Sequence, residues 1–310
     1  MIRRSEHAAK AIIAPARADS FLNELTKTSK IPGIQYLVVT SASVLFEHYS
    51  GLADIHRQIP IDHATTMMAY SMSKTITAAA VLQLVERGRV GLDDPVEQYL
   101  PSQPYGSSVT VRQLISHTSG IQNPLPLHWV HPAERHASFD ENTALADVLR
   151  DHPRLSFNPG SRYAYSNIGY WLLGKIVEHS SGEIFSSYVA NQIVQPLRIG
   201  PGDLGYIVTD PAHHATGYLE KYSLMNLVRG FLIDRQLVGD YRQVVGHPQS
   251  LRERARIWWA SRDREGFRQV PSGPTSRSLC AVQPGNTATL VCAATNHAWS
   301  PYCDDPRLAH

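Results

Sequence analysis

The chain has 310 residues, 43% hydrophobic and 18% charged, with a formal net charge of +2. That length suits one large domain or two interleaved ones with ample material for a core, and the composition is that of a soluble globular protein. So small a charge, with lysine and arginine scattered rather than striped among aromatics, argues against nucleic acid, and no apolar run is long enough to cross a membrane.

The N-terminus, Met1-Ile2-Arg3-Arg4 followed by Ala8 to Ala16, has the outline of a secretory signal. Its apolar part is short and broken by Lys10 and Pro15, so it is read as a frayed tail or helix and the expected location is cytoplasmic. Residues 17–30 are expected to form an amphipathic helix with Phe21, Leu22 and Leu25 on its apolar stripe, stopped by Pro32-Gly33. Ile34 to Thr40, a turn at Ser41-Ala42-Ser43 and Val44 to Tyr49 read as an antiparallel hairpin closed by Gly51. A helix opens at Ser71, continues through Ala78 to Leu82 and stops near Gly88. It is apolar on nearly all sides over Ile76 to Val85, the mark of a helix buried inside a domain.

Leu92-Asp93-Asp94-Pro95 begins a short helical segment. Thr110 with Gln113 has capping-box spacing for a helix to about Ser116, ended by His117-Thr118-Ser119-Gly120. A loop rich in proline and histidine fills 122–136, and Asn158-Pro159-Gly160 is a turn. Ser166 to Ser180 carries Ile168, Trp171, Leu172 and Ile176 at helical spacing, with Gly182 as its stop, and a further helix is expected over Ile184 to Gln195. Strands and helices are segregated rather than alternating, which gives an α+β fold class. There is no internal repeat and no low-complexity linker.

No metal or cofactor is expected. His128, His131 and His136 are close together, but Pro126 and Pro132 make that stretch a loop, and no carboxylate falls at ligand spacing. The three cysteines, Cys280, Cys292 and Cys303, match no zinc pattern, and an odd number makes no closed disulfide framework.

Chemistry is concentrated in two short motifs. Ser71-Met72-Ser73-Lys74 is the only Ser-x-x-Lys of the chain. Residues three apart on a helix share a face, so the ammonium can sit beside the hydroxyl, as a serine nucleophile requires when lysine takes its proton. The only Tyr-x-Asn, Tyr165-Ser166-Asn167, follows further along.

Ser71-x-x-Lys74, the run Val109 to Gly120, and Asn158-Pro159-Gly160 leading to Tyr165-Ser166-Asn167 together resemble the class C β-lactamase superfamily of serine hydrolases, which includes family VIII carboxylesterases and D,D-peptidases. The resemblance covers about residues 20–241. It implies a β-lactamase/D,D-peptidase-like fold, an antiparallel sheet flanked by helices plus a mostly helical subdomain. Residues 20–70 would supply the N-terminal helix and hairpin, and 71–241 the mostly helical part with the active-site motifs.

The resemblance also implies the roles. Ser71 attacks the acyl carbon, and its backbone N–H at a helix start serves the oxyanion. Lys74 acts as base, burial disfavouring its charged form. Tyr165 shares that proton and passes it to the leaving group. Asn167 orients Lys74 and a substrate carbonyl. Apart from the resemblance, Trp129 in the loop is read either as lining a substrate cleft or as a packed loop aromatic. His117 is read as structural, hydrogen-bonding the turn it begins. The expected activity is cleavage of short-chain acyl esters through an acyl-enzyme, with weak β-lactam hydrolysis beside it and a small-molecule ester or β-lactam as the partner. The alternatives are a β-lactamase or D,D-peptidase proper, and an impaired family member that serves as a binding scaffold.

One expected element is missing. The family carries Lys-Thr-Gly, His-x-Gly or Trp-x-Gly on a strand that edges the site and supplies a second oxyanion donor, yet no lysine follows Lys221 and neither variant occurs. Residues 242–310 are atypical: 252–278 hold seven arginines, no lysine and the pair Trp258-Trp259. Tryptophan has a single codon, and Trp-Trp-Ala read one nucleotide later becomes Gly-Gly followed by a codon beginning CN, which suits the family better. Two readings follow. Either the tail is out of frame and the C-terminal strands are incomplete, or Leu279 to Gln283, Pro284-Gly285-Asn286 and Thr287 to Thr295 supply a terminal hairpin. An uninterrupted reading frame in independent isolates excludes the first.

Overall fold

The structure is a computed structural model that describes residues 15–28, 31–39, 43–69, 71–124, 138–200, 202–206, 208–217, 258–259, 279–283 and 289–295. Helix α1 (Pro15–Thr28) precedes strands β1 (Gly33–Val39) and β2 (Val44–Asp54). These two strands form the expected antiparallel hairpin, in one register from Gly33 opposite Gly51 to Val38 opposite Phe46, with a one-residue shift that sets Val39 opposite Val44. β2 does not end at Gly51 but runs three residues further to Asp54 and pairs with β3 (Ile59–Pro60). Glycine is required inside the strand for two reasons. Gly51 has φ of +79°, and a Cβ there would lie 2.3 Å from the Pro32 carbonyl oxygen, a close approach that only glycine tolerates.

The larger sheet has five strands in the order β3-β2-β1-β8-β7, with β7 at Leu279–Gln283 and β8 at Thr289–Thr295. β8 lies antiparallel to β1 from Ile34 opposite Thr295 to Val39 opposite Leu290, so the two ends of the chain share one sheet. A smaller sheet joins β4 (Met67–Met68), β6 (Trp258–Trp259) and β5 (Leu204–Gly205). α1 is fastened to the larger sheet by a polar chain. His48 Nδ1 is 2.7 Å from Asp19 and its Nε2 2.8 Å from the Ser50 hydroxyl. Leu22 alone of the expected stripe is fully buried beneath that helix, and Phe21 is exposed.

The helical part is built around two long helices, α2 (Ser73–Glu86) and α5 (Asn167–Ser181). α2 buries Ile76, Ala80, Val81 and Leu84, as its apolar surround predicts, though Leu82 reaches solvent. It starts two residues later than expected. Ser71 and Met72 form a turn, in which the Lys74 N–H donates to the Ser71 carbonyl. α5 is almost wholly buried, and Ile168, Trp171, Leu172, Leu173, Ile176 and Val177 form the centre of the core. Burying large apolar side chains at about 1.5–3 kcal/mol each makes this helix the main stabilising element. Its ends are set by local chemistry: Ser166 caps the start by accepting from Gly169 N–H, and Gly182 closes it in the left-handed conformation.

α3 (Val111–Ile115) has the capping box in full, the Thr110 hydroxyl accepting from Gln113 N–H and the Gln113 side chain accepting from Thr110 N–H. α4 (Glu141–Asp151) was not expected. Asp140 caps it by accepting from Asn142 and Thr143 N–H, and only Leu145 and Val148 are buried. α6 (Phe185–Val189) occupies the start of the last expected helix, which then widens into a π-turn over Ala190–Val194.

Candidate active site

The site lies where the start of α2, the end of α3 and the start of α5 meet. α5 packs against both other helices, which brings the two motifs together across 94 residues of chain. Ser71 Oγ and Tyr165 Oη are 2.7 Å apart, and Lys74 Nζ donates to Ser71 Oγ at 3.4 Å. Lys74 is only 7% exposed. Its ammonium lies over two aromatic faces, 5.0 Å from the centre of the Tyr165 ring and 5.5 Å from that of Tyr170. Such contacts stabilise a desolvated cation by up to about 2 kcal/mol and hold the nitrogen beside the serine.

The turn after α3 positions the second motif. His117 has φ of +56°, a conformation that histidine and asparagine adopt more readily than most residues. Its carbonyl accepts from Ala164 N–H at 2.8 Å and its Nδ1 accepts from Ser166 N–H at 3.2 Å. A little further on, Gln122 carbonyl accepts from the Ser166 hydroxyl and Asn123 Oδ1 from Asn167 N–H. The Gly120 carbonyl accepts from Ser156 N–H, and a Cβ at Gly120 would lie 2.4 Å from the Phe157 carbonyl oxygen. His117, Gln122 and Asn123 are therefore the bed on which Tyr165-Ser166-Asn167 rests.

Of the residues singled out in the sequence, Ser71, Lys74 and Tyr165 converge. Asn167 stands at the first position of α5, with its side-chain Oδ1 buried and without a hydrogen-bond partner. A substrate donor would satisfy an acceptor left in that state, since a buried carbonyl without a partner costs about 1–3 kcal/mol. Trp129 lies outside the described residues, as do His128, His131 and His136. Two residues with contacts in the site were missed as such, His117 and Tyr170. The Tyr170 hydroxyl donates to the Ile115 carbonyl at 2.9 Å. A helical aromatic three residues after Asn167 was a usable signal for it.

The electrostatics have a pH consequence. Burial, with the Lys74 ammonium adding to it, pulls the His117 imidazole down to about 4. Burial alone does the same to His214, whose Nδ1 is 2.6 Å from the Thr66 hydroxyl. Both rings are neutral in the folded chain but take up a proton near pH 6.5 when unfolded. A lowered folded value means that the stability is fully present above pH 6.5 and is lost as pH falls from there toward 4. The expected result is a melting temperature that is flat above pH 7 and falls between pH 6.5 and 4, each ring contributing on the order of 3 kcal/mol. Thermal denaturation across that range checks it, and a melting temperature unchanged down to pH 4 would refute it.

Among the described residues no cluster of histidine, cysteine and carboxylates is placed to hold a metal, and no helix is long and apolar enough to cross a membrane.

Comparison with known proteins places this geometry. Esterase EstB of Burkholderia gladioli is 30% identical over 225 residues, covering 66% of this chain and 54% of the esterase. Protein flp of Staphylococcus aureus (strain N315) is 26% identical over 207 residues, covering 64% of this chain and 40% of its own length. The chain thus spans about half the length of the curated relatives it matches. Among solved structures, the octameric penicillin-binding protein homologue from Pyrococcus abyssi superposes with a TM-score of 0.61 at 25% identity, over 80% of this chain and 54% of that one. The beta-lactamase family profile matches residues 18–228, a span that holds Ser71, Lys74, His117, Tyr165 and Asn167, and by that match the chain belongs to the beta-lactamase family.

Proposed function

We propose that the protein hydrolyses short-chain acyl esters by way of an acyl-enzyme on Ser71. The observation that carries this is the 2.7 Å contact between the Ser71 and Tyr165 hydroxyls, with Lys74 Nζ 3.4 Å from the same Ser71 oxygen. A hydroxyl so close to a proton acceptor needs no large movement to become a nucleophile. The shorter distance favours Tyr165 as the immediate proton acceptor: its phenolate, held beside the Lys74 cation, takes the Ser71 proton and becomes the phenol. Ser71 Oγ bonds to the ester carbon, the carbonyl electrons move onto oxygen, and the Ser71 N–H supplies one oxyanion donor. As the carbonyl re-forms, the alkoxide leaves and takes the proton from Tyr165. Water then attacks the acyl-serine by the same proton route and releases the acid.

Similarity to Esterase EstB supports an ester substrate. So does the missing third motif, because activated esters demand less of the oxyanion hole and of leaving-group protonation than amides. One absent donor costs about 10²- to 10³-fold. A β-lactam is the second candidate, favoured by similarity to a penicillin-binding protein homologue. Intact-protein mass spectrometry after exposure to p-nitrophenyl butyrate and, separately, to a cephalosporin tests the reading. A butyryl adduct is the expected result. An adduct from the cephalosporin alone would make the protein a β-lactamase, and no adduct from folded protein would favour a binding scaffold.

A further inference from the structure

Tyr165 is held on both sides by a single residue. The N–H before it, that of Ala164, donates to the His117 carbonyl, and the N–H after it, that of Ser166, donates to His117 Nδ1. The imidazole itself lies against the phenol, with ring centres 4.5 Å apart and planes tilted by 35°. Its contact with Tyr170 is nearly the same, 4.8 Å and 34°, and Tyr163 meets its edge at 5.8 Å. Sequence alone gives His117 only the task of ending α3, because the partners that matter lie 49 residues away at Ser166.

We infer that His117, as a neutral imidazole protonated on Nε2, is the residue that positions Tyr165 against Ser71. This rests on the proposed hydrolase reading for its catalytic meaning, but not for its geometry. The tautomer follows from the donor: a backbone N–H can only give a hydrogen bond, so Nδ1 must keep its lone pair. A protonated ring would lose that acceptor and set a second cation among Lys74, Tyr163, Tyr165 and Tyr170. Burial and Lys74 both hold the ring in its neutral form. The catalytic significance lies in tolerance: displacing a reacting group by about 1 Å costs on the order of 10² in rate. A bracket on the two peptides that flank the phenol is the means of keeping Tyr165 Oη at 2.7 Å.

Two substitutions separate positioning from mere packing, and both tolerate the left-handed backbone of position 117. His117→Asn places Oδ1 near the position of Nδ1 and keeps an acceptor for Ser166 N–H. His117→Gly removes the acceptor without strain. With p-nitrophenyl butyrate, His117→Gly is expected to lower kcat by more than about 30-fold with KM within about threefold, the pattern of a displaced catalytic group. His117→Asn is expected to lose less than about tenfold. Crystal structures of both variants supply a readout independent of turnover: the Ser71 Oγ to Tyr165 Oη distance stays within hydrogen-bond range in the Asn variant and lengthens beyond it in the Gly variant. A Gly variant that keeps that distance, or that keeps kcat within threefold of wild type, overturns the inference. If His117→Gly does not fold, the Asn variant decides alone, and a loss beyond 30-fold with Tyr165 still in place would sink the inference. Wild type that forms no butyryl adduct defeats the hydrolase reading, and the two crystallographic distances still decide the role of His117.

Discussion

Ser71→Ala is expected to remove the butyryl adduct completely and to lower ester turnover to the background of the uncatalysed reaction. In a serine hydrolase whose groups act as a unit, loss of the nucleophile alone costs on the order of 10⁶ in kcat. No other described hydroxyl is so placed between an amine and a phenol: Ser73, its neighbour on α2, is fully buried and its Oγ has no hydrogen-bond partner. The effect on stability should be small. The substitution deletes one oxygen from a half-buried turn residue and leaves α2 to begin at Ser73 as before. The lost hydrogen bonds contribute about 1 kcal/mol each, and relief of a crowded polar cluster offsets part of that. Mass spectrometry and thermal denaturation on the same preparation check both halves. A Ser71→Ala protein that still acquires the acyl group would move the nucleophile elsewhere, and one that fails to fold would mean that the turn at 71–72 holds the helix in place.

What the sequence shows of this fold is what neighbouring residues decide. The buried helix ending near Gly88, the capping box of Thr110 and Gln113 and the Gly182 stop are all set within one or two turns of chain, and the structure has each of them. α4 escaped because its signal is thin: it buries only Leu145 and Val148, and it follows a stretch rich in proline and histidine. The Asp140 cap, with Thr143 three residues on, was the cue available. The extension of β2 past Gly51 was hidden because glycine normally ends a strand, and its reason lies in the approach of Pro32.

Long-range geometry was legible only in part. Ser71, Lys74 and Tyr165 could be joined because two motifs occur in a fixed order, but nothing local announces that His117 brackets Tyr165. The pairing of β8 with β1 joins residues near opposite ends of the chain, Ile34 with Thr295. The family match stops at residue 228, ahead of the arginine-rich 252–278, so the reading frame of 242–310 is still a proposal about the gene. Its physical stake is the second oxyanion donor, which the family places on a strand in that part of the chain.

The division of labour between Lys74 and Tyr165 produces the second large effect. Tyr165→Phe removes only the hydroxyl 2.7 Å from Ser71 Oγ and keeps the ring that Lys74 and His117 touch. Lys74→Met removes the charge but keeps most of the apolar stem at a position that is 7% exposed. If the Tyr165 phenolate takes the proton, Tyr165→Phe loses a general acid–base group, worth about 10²- to 10⁴-fold, and the lysine contact to Ser71 at 3.4 Å is too long and too weak to replace it. Lys74→Met leaves the phenol in place but without the cation that favours its ionised form. Its loss should shrink as pH rises, because hydroxide then supplies what the cation did, whereas the loss in Tyr165→Phe should persist at all pH values. The double variant should be little worse than Tyr165→Phe, since the two groups act on one proton and their effects cannot add. The measurement is kcat for p-nitrophenyl butyrate from pH 6 to 10 on wild type, both single variants and the double. If Tyr165→Phe keeps most of the activity while Lys74→Met loses it at every pH, the lysine is the base and the 2.7 Å contact only orients the serine. If the losses multiply, the two residues serve separate steps, and the proton route through the phenol is wrong.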